Sequence, residues 1–216
     1  MNKSDVISRI TKTGVIPVIR AASADEASRA IDAIKAGGID IFEITMTVPG
    51  AIQLIEKLAA SYANDALIGA GTVLDAQTAR DCVDAGAQFI ISPALNLDTI
   101  RFCKESETIV MPGALTPTEI VTAWNAGADF VKVFPASAVG GASYLKAVKA
   151  PLPQIRLIPT GGVSLDTAAD FIKAGAEAVG VGGELVDLKA IRENRAEIIT
   201  ERAQQFLEII KKARAK

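Results

Sequence analysis

Short runs of β-branched and aliphatic residues alternate from end to end with stretches whose apolar positions recur at helical spacing. The runs fall at 15–20, 41–45, 67–72, 89–92, 109–113, 130–134, 156–160 and 178–182, and each reads as a strand. Two of the intervening helices carry start signals. Ser23-Ala-Asp-Glu26 and Thr116-Pro-Thr-Glu119 have the form of capping boxes, with Pro117 at the first helical position, where its missing N–H costs nothing. The stops repeat as well. Ala36-Gly-Gly-Ile, Ala85-Gly-Ala-Gln, Ala126-Gly-Ala-Asp and Ala174-Gly-Ala-Glu each precede a strand, as expected of helices ended by a left-handed glycine. The phrase recurs at intervals that hold two strand–helix units, so the chain carries eight of them. Eight such units predict a single (β/α)8 TIM barrel spanning residues 1–216. A doubly wound open sheet, the competing α/β design, has fewer strands at this length. Outside the eight units, 4–11 reads as an extra N-terminal helix and 191–216 as a long C-terminal one. The basic end of the latter, Lys211-Lys-Ala-Arg-Ala-Lys216, reads as a solvated tail that complements the helix dipole.

In a barrel strand, alternate side chains point into the barrel and under the helices. In Ile41-Phe-Glu-Ile-Thr45, Phe42 and Ile44 suit the helix side, which turns Glu43 and Thr45 inward. In Phe130-Val-Lys-Val-Phe134 the valines face the helices and Lys132 points inward between two phenylalanines. Arg20, Thr72 and Thr160 fall at the C-terminal ends of their strands, where barrel enzymes build their active sites. An inward Glu43 or Lys132, ionised and alone, would cost several kcal/mol. One explanation is an ion pair that only closes the barrel. The other is chemical. Desolvation disfavours an ammonium, so a lysine packed between phenylalanines becomes a free amine able to attack a ketone and form a Schiff base. A neighbouring carboxylate can shuttle the protons that such chemistry needs. Glycines add a third element: Thr160-Gly161-Gly162 follows the seventh strand and Gly180-Val-Gly-Gly183 ends the eighth. Backbone N–H groups of those two loops commonly cradle a phosphate in this fold, the alternative being plain tight turns.

The chain has 216 residues, half of them hydrophobic, enough for a large core in one domain. Its 23 Lys plus Arg against 25 Asp plus Glu leave a net charge of −2, which argues against a nucleic-acid partner. No apolar run approaches the ~18 residues of a membrane span, and Asp5 with no apolar region behind it is unlike a secretory leader. A cytoplasmic protein with no membrane partner is expected. There is no histidine, which removes Ser-His-Asp and Cys-His machinery and every His-built metal site. Cys82 and Cys103, each inside a helical apolar pattern, read as buried free thiols. Any chemistry must run on Lys, Arg, Asp, Glu, Ser, Thr, Tyr or backbone groups.

Taken together, these residues resemble the bacterial class I aldolases that cleave 2-keto-3-deoxy-6-phosphogluconate (KDPG) and 2-keto-4-hydroxyglutarate (KHG). The resemblance runs from Gly14-Val-Ile-Pro-Val-Ile-Arg20 to Gly182-Gly-Glu-Leu-Val186. It rests on Glu43-Ile-Thr45, Gly69-Ala-Gly-Thr-Val73, Ile91-Ser-Pro93, Met111-Pro-Gly113, Val131-Lys-Val-Phe-Pro135 and Pro159-Thr-Gly-Gly-Val163, in that order. It implies that Lys132 is the Schiff-base lysine and Glu43 the acid/base, acting through a bound water. It also implies that Thr72 binds near the substrate carboxylate, that Pro93 and Phe134 wall the pyruvate pocket, and that Thr160 lies beside the sugar hydroxyls. Gly161, Gly162, Gly182 and Gly183 match the phosphate site. The implied reaction is the reversible cleavage of KDPG to pyruvate and D-glyceraldehyde 3-phosphate, and of KHG to pyruvate and glyoxylate, by a homotrimer with no cofactor and no metal.

Two positions depart from the family pattern. Many members carry an arginine where Thr47 stands, and there it binds the pyruvate carboxylate; the resemblance hands that role to Arg20, with Thr47 beside it. Some members carry a phosphate-binding serine where Gly183 stands, which leaves backbone N–H groups here, with Ser164 as a further donor. Three alternatives stay open: the phosphogalactonate isomer as substrate, a phosphate-binding barrel such as an epimerase or synthase without a covalent lysine, and a non-catalytic binder.

Overall fold

A computed structural model describes residues 2–215. Met1 and Lys216, the two ends of the expected domain, lie outside the described residues, and with Lys216 goes the last residue of the expected C-terminal helix and basic tail. The strands are β1 (Val15–Ile19), β2 (Ile41–Thr45), β3 (Leu67–Gly71), β4 (Phe89–Ile91), β5 (Ile109–Met111), β6 (Gly113–Ala114), β7 (Val131–Val133), β8 (Leu157–Pro159) and β9 (Val179–Val181). The helices are α1 (Lys3–Thr13), α2 (Ala24–Ala36), α3 (Ala51–Tyr62), α4 (Ala76–Asp84), α5 (Leu97–Glu105), α6 (Pro117–Asn125), α7 (Ala142–Lys149), α8 (Ala168–Lys173), α9 (Leu188–Arg192) and α10 (Glu197–Arg214). No helix among the described residues is long and apolar enough to cross a membrane.

Every ladder is parallel, and the helices between strands supply the crossovers that parallel pairing requires. The ladders fall into two sheets, β5-β4-β3-β2-β1-β9 and β6-β7-β8, where the sequence pattern predicts one ring. One division is at Pro112, which splits the predicted run 109–113 into β5 and β6 because proline has no N–H to give a ladder. Its carbonyl still accepts the Lys132 N–H at 2.9 Å. At the other division, β8 and β9 are linked by isolated bridges, Leu157 to Ala176 and Thr160 to Gly180.

Two sequence expectations change at the termini. The predicted helix at 191–216 is two helices, α9 and α10, because the chain turns at Asn194 (φ 54). Arg29 fixes that turn by donating to the Ile191 carbonyl and the Asn194 side chain, at 2.7 and 2.8 Å. At the other end α1 is longer than predicted and stops at left-handed Gly14 (φ 74). The repeated stop phrase has its left-handed residue at Gly38, Gly86, Gly127 and Gly175, with φ between 95 and 103. In the first copy it is therefore the second glycine that ends the helix. Thr116 and Glu119 form the full reciprocal capping box. Ser23 caps α2 through the Glu26 N–H, but the Glu26 carboxylate accepts instead from the Ala22 N–H (2.8 Å) and Arg192 (2.6 Å).

Strand alternation splits the core in two. Residues such as Phe42, Ile44, Ile68, Ile90, Val110, Val131, Val133, Val179 and Val181 join the helices in the larger cluster. The smaller cluster holds Ile16, Ile41, Leu67, Phe89, Ile91, Ile109, Met111, Phe130, Ile158 and Ala178, packed with Val6 and Ile10 of α1. The second set lies on the other, inner face of the strands, and α1 covers its lower part. The upper part of that face is different. β3 contributes only Gly69 and Gly71 there, and a Cβ on Gly69 would fall on the Phe89 ring. Glycine at 69 is thus the space that a phenylalanine from the next strand fills. Gly69→Ala should destabilise the fold by about 1–3 kcal/mol through overpacking, read as a lower urea midpoint at unchanged slope.

Candidate active site

Lys132 and Glu43 meet on the inner face. β7 brings Lys132 and β2 brings Glu43, with Lys132 4% and Glu43 1% exposed. Lys132 Nζ lies 3.5 Å from Glu43 Oε1, and that oxygen has no hydrogen-bond partner among the described residues. Below them the face is apolar, as the smaller cluster shows. The Phe134 ring centroid is 5.4 Å from Nζ, while Phe130 is fully buried beneath in the apolar cluster. The sequence makes room for the carboxylate: a Cβ on Gly71 would land on Glu43 itself. Gly113, the register partner of Lys132, is equally constrained, since a Cβ there would strike the Pro93 backbone. Pro93 is thereby held one residue contact away from the lysine.

Hydroxyls stand at the ends of the neighbouring strands. Thr45, fully buried, donates to the Ile19 carbonyl (2.9 Å) and shares a hydrogen bond with Thr47 (2.7 Å). Thr72 follows β3 with φ 59, a left-handed backbone that is costly for a β-branched residue, at about 1–3 kcal/mol. Nothing in the sequence signals that conformation. Thr160 is buried after β8, its N–H on the Val133 carbonyl and its own carbonyl accepting from Ala136, both at 2.9 Å. A Cβ on Gly180 would meet the Thr160 hydroxyl, so this glycine also makes space for a neighbour.

Beside Thr160 opens a cleft of about 290 Å³, walled by Val18, Arg20, Phe134, Thr160, Gly161, Gly162, Val163, Ser164, Gly180, Gly182, Gly183 and Glu184. The structure thus gathers Arg20, Phe134, Thr160 and all four predicted glycines in one place. Lys132, Glu43, Thr47, Thr72 and Pro93 do not line this cleft; Phe134 and Thr160 connect it to the pair. Gly180, the first residue of the predicted Gly180-Val-Gly-Gly183 segment, lines the cleft as well, while Val18 and Val163 are wall residues that the sequence reading missed. Strand alternation carried one row further would have found Val18, below Arg20.

Both glycine loops are fixed. Gly161 and Gly162 have φ of 90 and 76, and Thr167 clips the turn, accepting from Ser164 N–H and donating to the Gly162 carbonyl, both at 2.9 Å. On the second loop the Gly182 carbonyl accepts from Leu185 and Val186, and Asp187 caps α9 while pairing with Arg202 at 3.1 Å. The Ala190 N–H and Arg202 hold the Asp187 carboxyl below its usual range despite partial burial. The N–H groups of Gly162 and Gly183 find no protein acceptor among the described residues. Unpaired backbone donors on glycines suit an anion.

No three of His, Cys, Asp and Glu converge as a metal cluster among the described residues. The cysteines are free and buried. Burial, with nearby Asp81 and Asp75, pushes the Cys82 thiol up to about 11, and burial with Asp129 pushes Cys103 up to about 12. Because the thiolate is the reactive form, neither should react with a maleimide at pH 8 while the protein is folded. Both should label once urea unfolds it, as intact mass would show.

Fold and site together define a parallel α/β enzyme with a buried lysine–carboxylate pair at the head of its strands and a glycine-walled anion cleft beside it. A family model described as KDPG and KHG aldolase matches residues 6–202. A 2-dehydro-3-deoxy-phosphogluconate aldolase of Haemophilus influenzae is 32% identical over 95% of this chain and 97% of its own. A 2-dehydro-3-deoxy-6-phosphogalactonate aldolase of Escherichia coli is 38% identical over 81% of this chain and 85% of its own. Among solved structures, the KDPG aldolase of Legionella pneumophila, with pyruvate captured at low pH as a covalent carbinolamine intermediate, superposes with a TM-score of 0.85 at 33% identity, covering 92% of this chain and 96% of that one. The chain belongs to the KDPG and KHG aldolase family, and it is an aldolase.

Proposed function

We propose that this aldolase reversibly cleaves 2-keto-3-deoxy-6-phosphogluconate to pyruvate and D-glyceraldehyde 3-phosphate, through an imine on Lys132. The observation that carries this reading is the buried Lys132–Glu43 pair. A pair serving stability alone would satisfy its lone pairs, whereas Glu43 Oε1 has no hydrogen-bond donor among the described residues and sits 3.5 Å from Nζ.

The neutral amine of Lys132 adds to C2 of the keto acid, and the carbinolamine hydroxyl leaves as water with a proton from Glu43, which gives an iminium and a Glu43 carboxylate. The C4 hydroxyl gives its proton to Glu43, the C3–C4 electron pair flows into the iminium, and the aldehyde leaves. The enamine takes a proton at C3 from Glu43, and water hydrolyses the resulting pyruvate imine. The iminium is the electron sink, so the scheme calls on no metal and no cofactor. Arg20, Thr72 and Thr47 bind the keto-acid carboxylate, Pro93 and Phe134 wall the pyruvate, and Thr160 meets the sugar hydroxyls. Gly161, Gly162, Gly182 and Gly183 present backbone N–H groups to the phosphate. KHG, cleaved to pyruvate and glyoxylate, fits the same scheme. The phosphogalactonate isomer is the second reading, favoured by the 38% identity to the relative named for it.

In this reading residues 1–216 act as one domain, and the two sheets close as a single (β/α)8 barrel, with 109–114 as one strand bent at Pro112. The protein works in the cytoplasm, where two free thiols suit a reducing compartment. It is a homotrimer. Leu74, on the loop after β3, and Leu97, the first residue of α5, are 57% and 49% exposed and offer apolar area for a subunit contact.

Borohydride added with pyruvate should leave one covalent adduct per chain, mapped to Lys132. Lys132→Met should lose both adduct and turnover; retained turnover would remove the imine from the mechanism. For Glu43→Gln, turnover should fall about 10²–10⁴-fold while borohydride trapping partly survives. Wild-type rates in that variant would mean that another group moves the protons.

A further inference from the structure

We infer that Asn96 is a positioning residue for the keto-acid pocket: it holds Thr72 in the left-handed conformation in which that residue meets the substrate carboxylate. The inference rests on the aldolase reading above and adds to it a residue that touches no substrate.

Thr72 follows β3 with φ 59, a backbone that a β-branched residue adopts only under constraint. The constraint comes from three neighbours. Before Thr72, the Gly71 carbonyl accepts the Met46 N–H at 2.8 Å, and after it the Val73 N–H donates to the Ile91 carbonyl at 3.2 Å. Both are backbone bonds. One residue further on, the Leu74 carbonyl accepts from Asn96 Nδ2 at 3.2 Å. This is the one side-chain hydrogen bond that residues 72–74 make among the described residues. Packing does not replace it at Leu74, whose side chain is 57% exposed.

Asn96 is able to do this because its other end is fixed. It is the N-cap of α5, and its Oδ1 accepts the Thr99 N–H at 2.8 Å. An amide whose oxygen is turned to the helix presents its nitrogen the other way, so the cap itself orients the donor toward Leu74. A cap alone needs only the oxygen, which aspartate, serine or threonine supplies as well. Asp75 and Thr116 do so at α4 and α6. Asparagine adds the NH2 group, and here that group is bonded to the loop that carries Thr72. Pro93, a wall of the pyruvate pocket, lies just before Asn96 in the chain. The same strut therefore sets the spacing between that wall and Thr72.

Asn96→Asp separates the two roles, because aspartate keeps the capping oxygen and loses the donor, whereas Asn96→Ala loses both. In borohydride trapping, Asn96→Asp should raise the half-saturating pyruvate concentration about three- to tenfold, the range for one hydrogen bond, and at least as much as Asn96→Ala does. In urea the order should reverse, with the midpoint of Asn96→Asp nearer to wild type than that of Asn96→Ala. At saturating pyruvate the adduct should still form on Lys132, and KM for D-glyceraldehyde 3-phosphate in the condensation direction should not change. Glycine takes a positive φ without strain, so in a Thr72→Gly background the further change Asn96→Asp should leave half-saturating pyruvate where it was. Pyruvate binding that follows stability, with Asn96→Asp close to wild type, would reduce Asn96 to a helix cap and overturn the inference. So would an equal loss in the Thr72→Gly background. Failure of wild-type protein to trap pyruvate at all would instead strike the imine mechanism, which separates the two readings.

Discussion

Two charged side chains on the inner face of an otherwise apolar set of strands constrain the rest of this structure. Lys132 and Glu43 are at most 4% exposed and stand 3.5 Å apart. Desolvating both costs several kcal/mol, which their mutual attraction repays only with good geometry and full hydrogen bonding. The geometry here is open, and one carboxylate oxygen lacks a donor among the described residues. Such a pair persists because the surroundings leave it no alternative. Its strands are anchored by complete parallel ladders to β3 and β8, and the apolar cluster below gives neither charge a route to water.

Space for the pair is set aside by what the sequence omits. On β3 the inner positions are Leu67, Gly69 and Gly71, so side-chain volume ends after the first of them. The ring of Phe89 takes the volume at 69, and the carboxylate of Glu43 takes the volume at 71. Gly180 yields to the Thr160 hydroxyl and Gly113 to the Pro93 backbone in the same way. The lower inner face is filled by large aliphatic and aromatic residues and closed by Val6 and Ile10 of α1. A single alternation of side chains thus builds a dry, rigid base and a hollow top, the placement that parallel α/β barrels use for chemistry.

Much of this was legible before any coordinates, and the reason is periodicity. A parallel strand buried on both sides still sorts its residues by alternation, so Glu43 and Lys132 could be turned inward from Phe42, Ile44, Val131 and Val133 alone. The stop glycines were legible because only a residue without Cβ takes φ near 100 cheaply. What escaped was set by partners distant in sequence. Asn194 breaks the C-terminal helix because Arg29, on α2, holds the turn. Glu26 leaves its capping partner for Arg192, on α9. Thr72 adopts a left-handed backbone that its own side chain disfavours. No local pattern carries any of these, because each is a tertiary contact overriding a local preference.

The two ends of the site answer to different physics. At the pair, two charged side chains are held in an apolar surround, where each acts on the other with little screening. In the cleft, charges face solvent, which screens them. The structure keeps the two apart: Arg20 and Glu184 are the charged residues that line the cleft, while Lys132 and Glu43 lie outside its lining and are buried.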